Sequence, residues 1–91
     1  MTDDARWNVV LTRQAEKATQ RLSRTLLRRI DLVLKELARN PTPSGCKRLV
    51  GYSNLYRVRV GNWRIVYVVE KARLVVLVVK IAPRGEVYKN L

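Results

Sequence analysis

Arg57, Arg59 and Arg64 are the residues whose type and spacing first suggest chemistry. They flank Gly61-Asn62, and the stretch from Leu55 to Tyr67 reads as two strands joined by a two-residue turn. Glycine suits the first central position of a type II′ turn because it accepts positive φ there. Such a turn sets the register: Val60 opposes Trp63, Arg59 opposes Arg64, Val58 opposes Ile65 and Arg57 opposes Val66. Side chains alternate along a strand, so Arg57, Arg59 and Arg64 share one face. Tyr56, Val58, Val60, Trp63, Ile65 and Tyr67 share the other. Like charges directly opposite on a ladder repel. A hairpin that obeys its other local rules and breaks this one is expected to hold an anion there.

Arg84 and Tyr88 lie four residues apart, a spacing that keeps a common face in a helix or in a strand. If the end of the chain returns beside the hairpin, the result is a pocket of guanidiniums and one phenol. Guanidinium suits phosphate, because it stays charged and can bind two oxygens at once. Cleavage of RNA by its own 2′-oxygen has three needs: a deprotonated 2′-hydroxyl, positive charge around the phosphorane, and departure of the 5′-oxygen. Arginines meet the second need directly, by stabilising charge that grows in the transition state. Tyr88 is the only conventional proton-transfer group in this set, and crowded cations favour its phenolate. Taken alone, each arginine reads first as a solvated side chain, and Tyr88 as a packing residue.

Composition narrows the partners. The chain has 91 residues and a formal net charge of +12, with 47% hydrophobic residues. That is one small domain, 1–91, too apolar for a disordered chain, with a charge that favours a polyanionic partner such as nucleic acid or an acidic protein. Histidine is absent and Cys46 is the sole cysteine, which excludes an intrachain disulfide and any ordinary zinc site; no metal or cofactor is expected. Cys46 itself reads as a small buried apolar residue. The start of the chain carries Asp3 and Asp4 and lacks a signal-peptide pattern, and the apolar run from Leu74 to Val79 is far too short to span a bilayer. The expected location is cytoplasmic, without membrane association.

The elements that must position these residues follow from periodicity. Arg6 to Leu11 reads as a first strand, and Thr12 offers an N-cap. Ala15, Ala18, Leu22, Leu26, Ile30, Val33 and Leu37 form one apolar helical stripe. Arg13, Lys17, Arg21, Arg24, Arg28, Lys35 and Arg39 form a basic stripe opposite it, either a solvated face or a contact to a large RNA. Ser23 can cap a second helix, so the segment reads as a helical hairpin broken near Leu22-Ser23. Asn40-Pro41 ends it. Lys47-Arg48-Leu49, the arginine hairpin and an interior strand from Leu74 to Val79 follow, and Ala82-Pro83-Arg84-Gly85 is expected to leave the sheet. The predicted class is α+β: an N-terminal strand, a helical hairpin, then an antiparallel β-meander with the helices packed on one sheet face.

The ordered set Leu11-Thr12, Asn40-Pro41, Lys47-Arg48-Leu49-Val50-Gly51, Tyr56 to Tyr67 and Arg84-Gly85-Glu86-Val87-Tyr88 resembles the RelE/ParE toxin superfamily, in its RelE branch. The resemblance implies a RelE-like fold and a bacterial type II toxin that cuts mRNA in the ribosomal A site without a metal, leaving a 2′,3′-cyclic phosphate and a 5′-hydroxyl. It also implies a cognate antitoxin, which inhibits the toxin and through which the complex reaches operator DNA. By position, Arg57 and Arg59 match the family's basic pair, Arg64 its phosphate-binding arginine, Arg84 its C-terminal arginine and Tyr88 its C-terminal tyrosine. Lys47 and Arg48 are taken as substrate-binding. Two departures stand out: the basic pair is commonly lysine in the best-known branch, and Pro83 precedes Arg84 where many relatives carry a polar or basic residue. The scaffold is shared with ParE-like proteins that inhibit DNA gyrase without cutting RNA. A plain RNA-binding module is a third reading.

Overall fold

The computed structural model describes residues 6–83. Strand β1 (Asn8–Leu11) is followed by helices α1 (Arg13–Thr19) and α2 (Arg24–Arg39). Strands β2 (Lys47–Arg48), β3 (Leu55–Val60), β4 (Trp63–Glu70) and β5 (Val75–Pro83) complete the described chain. Both helices begin where a hydroxyl can take up an orphan amide. Thr12 Oγ1 accepts from the Ala15 amide at 3.2 Å, and Ser23 Oγ from the Leu26 amide at 3.1 Å. Asn40 closes α2 in an extended conformation ahead of Pro41.

The sheet order is β1-β5-β4-β3-β2. Strands β2 to β5 form the expected antiparallel meander, whereas β1 lies parallel to β5 at the far edge, so the sheet is mixed. The first strand is shorter than its composition predicts. The amides of Arg6 and Trp7 donate instead to the Ala38 carbonyl, near the end of α2, at 3.1 and 3.0 Å. The last strand is longer than predicted, since Ala82 and Pro83 still pair with Arg64 and Trp63. Pro83 is the last described residue of β5, beyond the stretch that pairs with β1.

Both helices pack on one sheet face. Ala15, Ile30 and Leu37 are fully buried against Val58, Ile65, Tyr67, Val76, Val78 and Ile81. The rest of the predicted apolar stripe, Ala18, Leu22, Leu26 and Val33, packs around them, and the members of the basic stripe are all exposed. Cys46 is half-buried rather than buried, at the margin of this core. The opposite face carries a smaller cluster of Leu55, Val66 and Ala82 with Leu49, Val68 and Val79. Among the described residues, no helical residue belongs to that cluster.

Tyr67 ties the sheet to the end of the helical hairpin. It is fully buried, its ring stacks on Tyr56 at 5.9 Å, and its hydroxyl donates to the Pro41 carbonyl at 2.7 Å. Burial raises its phenol far above the ordinary tyrosine value, and Cys46 and Tyr56 beside it push the same way. A phenol with a raised folded pKa stabilises the fold fully below the unfolded value of about 10, and that stability is lost as pH climbs above it. Tyr67→Phe removes both the hydrogen bond and this dependence. It is expected to cost about 1 kcal/mol at neutral pH and to flatten the alkaline limb of a denaturation profile measured between neutrality and high pH.

Candidate functional site

The hairpin between β3 and β4 has the register its turn demands. Val60 pairs with Trp63, Arg59 with Arg64, Val58 with Ile65, and Arg57 with Val66. Gly61 takes φ +61°, the left-handed value that a side chain would strain. Val58, Val60, Ile65 and Tyr67 point into the helix-side core, so alternation puts the three arginines on the opposite face, which is helix-free among the described residues. Arg59 is exposed, Arg57 half-buried, and Arg64 only 7% exposed. Arg64 is the one buried charged side chain among the described residues, and its Nη1 donates to the Trp63 carbonyl at 3.3 Å. A guanidinium held this deep is oriented before any ligand arrives.

The two basic residues of β2 separate. Lys47 pairs with Arg57 and joins the arginine face. Arg48 pairs with Tyr56 and so belongs to the other face. There it lines a shallow cleft of about 530 Å³ with Tyr56, Glu70, Lys71 and Arg73, at the end of the hairpin away from Gly61. The register therefore keeps Lys47 beside the arginines and puts Arg48 elsewhere. Arg84 and Tyr88 lie outside the described residues.

Lys80 is a cation that reading the sequence passed over. Between Val66 and Tyr67 the β4–β5 register shifts: Tyr67 pairs with Val78 but Val66 pairs with Lys80, leaving Val79 as the extra residue of a bulge. Before the bulge Val76 and Val78 face the helices; after it Ile81 does, and Lys80 and Ala82 face the arginines. The bulge is held from β1, where the Thr12 amide donates to the Val78 carbonyl at 3.0 Å and Thr12 Oγ1 donates to the Val79 carbonyl at 3.3 Å. One signal for this was present. Unbroken alternation through Val76 and Val78 would drive the Lys80 ammonium under the helices, which is costly without a partner. A charge at that phase is itself evidence that the alternation breaks.

Two adjacent rows of the helix-free face result. One runs Lys47, Arg57, Val66, Lys80 across β2, β3, β4 and β5; the next runs Arg59, Arg64, Ala82. Val66 is fully buried and Ala82 nearly so, which makes a small apolar floor with cations on either side. Long basic side chains around these covered residues can converge on one anion. Among the described residues no group of three or more His, Cys, Asp or Glu is placed to hold a metal ion, and no helix is long and apolar enough to cross a membrane.

The family model described as the ParE toxin of type II toxin-antitoxin systems, parDE, matches residues 9–88. The chain belongs to this toxin family. Within it the likeness is to RelE proteins. The toxin named RelE1 of Methanocaldococcus jannaschii is 32% identical over 88 residues, covering 93% of this chain and 98% of that one. A chain in the crystal structure of the RelE-RelB complex from Pyrococcus horikoshii superposes with a TM-score of 0.79 at 31% identity, over 87% of this chain and 96% of that one. The intact Escherichia coli RelBE toxin-antitoxin complex contains a chain with a TM-score of 0.78 over 87% of this chain and 98% of that one; at 21% identity it speaks for the fold alone. The protein is thus a type II toxin with an α+β RelE-like fold, in the RelE branch of the RelE/ParE superfamily.

Proposed function

We propose that this RelE-branch toxin is an endoribonuclease that cuts mRNA on the ribosome, in the cytoplasm and without a metal or other cofactor. The observation that carries this reading is the helix-free face, on which Arg57, Arg59 and the deeply held Arg64 lie side by side. Arg57, Arg59 and Arg64 bind the scissile phosphate, with Lys47 at the margin as a further substrate contact. Arg84 stabilises the transition state or assists the leaving oxygen. Tyr88 takes the proton of the 2′-hydroxyl or orients it. The 2′-oxygen attacks phosphorus, and the 5′-oxygen departs. The products are a 2′,3′-cyclic phosphate and a 5′-hydroxyl. The whole chain, 1–91, acts as one domain. Its inhibitor is a cognate antitoxin, a partner suggested by the RelE-RelB and RelBE complexes that the chain resembles. Operator DNA is reached only through that complex.

The ribosome supplies what so small a site lacks. A cationic face holds phosphate but does not by itself fix a 2′-oxygen in line with a leaving 5′-oxygen, and such alignment is a large part of the barrier. Free RNA is therefore cut poorly and translated RNA efficiently. The parDE description of the family model keeps a second reading in view, inhibition of DNA gyrase without RNA cleavage. Inducing the chain in cells and mapping new 5′ ends on translated messages separates the two. The expected result is a set of new 5′-hydroxyl ends within codons under translation. A DNA-damage response and filamentation with intact messages would establish gyrase inhibition instead. In a purified translation system whose ribosomes stay intact, cleavage is expected to survive addition of a chelator; its loss there would show that a metal takes part.

A further inference from the structure

The register sends Arg48 away from the arginine face, and the cleft it lines has a chemistry of its own. At about 530 Å³ the cleft has the volume of a small-ligand site. Two chain segments wall it: the loop before β3, which supplies Ser53 and Asn54, and the turn after β4, which supplies Lys71 and Arg73. The Val69 amide donates to the Asn54 carbonyl at 3.0 Å, which ties the first wall to the strand that leads into the second. Arg73 is paired with Glu70 at 3.1 Å. Arg48 and Lys71 are exposed and have no ion pair among the described residues.

Among the described residues Tyr56 is the one aromatic side chain that lines this cleft. It is half-buried, and its ring stacks on the fully buried Tyr67, which is itself pinned to the Pro41 carbonyl. The ring is therefore held in place before any ligand arrives. A fixed ring beside unpaired cations suits an unstacked nucleotide, whose base lies on the ring and whose phosphate meets the cations. An acidic peptide would use the cations and leave the ring idle. Position argues the same way. Lys47 and Arg48 are consecutive on an edge strand of two residues and alternate onto opposite faces. A single strand of RNA held by Lys47 at the margin of the arginine face has only that short edge to cross before it reaches Arg48.

We infer that this cleft is a subsite for one nucleotide of the message, with its base against the Tyr56 ring and its phosphate on Arg48 and Lys71. The inference rests on the nuclease reading given above and adds where the substrate runs beyond the reacting phosphate. The nucleotide lies outside the cut codon, because the sheet stands between this cleft and the arginine face. No bond changes there. The subsite contributes binding that is the same before and in the transition state, so it lowers the toxin concentration needed for cleavage and leaves the rate at saturation alone. Stacking accepts any base, so the subsite adds affinity and no codon preference.

The test uses the full-length toxin on ribosomes programmed with a message that carries 2′-deoxy sugars in the cut codon, so that binding is read without cleavage. In a series of such messages, one base at a time is removed outside the codon. One abasic position is expected to weaken binding of the parent toxin about tenfold, the scale of one base stacked on an aromatic ring. Tyr56→Leu should bind the intact message about tenfold more weakly and lose nothing further at that abasic position. Arg48→Gln should bind about tenfold more weakly as well; because Arg48 is exposed, this variant decides the question if Tyr56→Leu does not fold. On an ordinary message Arg48→Gln should raise the half-saturating toxin concentration and leave the single-turnover rate at saturation within about twofold of the parent. Thermal melting, antitoxin binding and binding to ribosomes without a message should match the parent. Parent-like binding of Arg48→Gln overturns the inference, and so does an abasic series with no sensitive position. Equal weakening on ribosomes without a message would assign the cleft to ribosomal RNA, and weakening confined to the antitoxin would assign it to an acidic peptide; either overturns it. If the parent toxin cuts no message and the abasic position still weakens binding, the nuclease reading fails while the subsite stands.

Discussion

Arg64→Ala is expected to abolish growth arrest on induction and to lower cleavage of ribosome-bound mRNA by at least about 100-fold, the scale seen when one preorganised donor to a developing oxyanion is removed. Arg64 is singled out among the three hairpin arginines by its surroundings. It is 7% exposed and anchored to the Trp63 carbonyl, whereas Arg59 opposite it is exposed. A guanidinium fixed in place loses little entropy on binding phosphate, and its charge acts in a less screened setting. The fold should tolerate the change. Arg59 and Arg64 face each other across the ladder, so deleting one relieves a repulsion while its packing is lost, and these effects oppose each other. The thermal midpoint should move by a few degrees at most, and antitoxin affinity should be retained. Arg64→Lys keeps the charge but loses the two-pronged geometry and should fall between the parent and alanine. Full toxicity of Arg64→Ala would remove the hairpin face from the mechanism.

Ile65→Ala, one residue further on, should do the reverse. Ile65 is fully buried on the helix side, paired with Val58 on one flank and Ile81 on the other. Truncation there removes apolar contact and leaves a void that neighbours on two strands and the helices can fill only in part. The expected cost is about 2–5 kcal/mol, a large share of the roughly 5–15 kcal/mol available to a domain of ordinary stability. A urea titration should show a markedly lower midpoint with an unchanged slope. Activity per folded molecule should be close to that of the parent at low temperature, because no group on the arginine face is altered. An Ile65→Ala midpoint equal to that of the parent would mean that the helices do not depend on this face of the sheet. Together the two substitutions separate chemistry from stability at adjacent positions of one strand. Period-two alternation makes that possible: it gives Arg64 to the ligand side and Ile65 to the core.

Much of this was legible in the residues themselves. The Gly61-Asn62 turn permits one pairing, and that pairing places Arg59 against Arg64 without further information. Thr12 and Ser23 announce both helix starts through a hydroxyl that a frayed amide needs, and the spacing of Ala15, Ile30 and Leu37 names the buried stripe. These are short-range facts, decided by neighbours within a few positions. The ordered motifs also indicated the toxin superfamily, which the family match and the RelE relatives bear out.

What the chain could not announce depends on strands far apart in sequence. The parallel pairing of β1 with β5 and the hydrogen bonds from Thr12 to Val78 and Val79 join segments more than sixty residues apart, as the 67-residue separation of Thr12 and Val79 shows. Arg48 looked equivalent to Lys47 until pairing with β3 set them on opposite faces. Lys80 looked like an interruption in an apolar run until a single extra residue, Val79, reversed the alternation. Local sequence thus determined which residues are apolar, charged or turn-forming, and so the hairpin and the helices. The assembled sheet decided which cations meet, because facing is a property of register, and register between distant strands is set by the whole core they bury together.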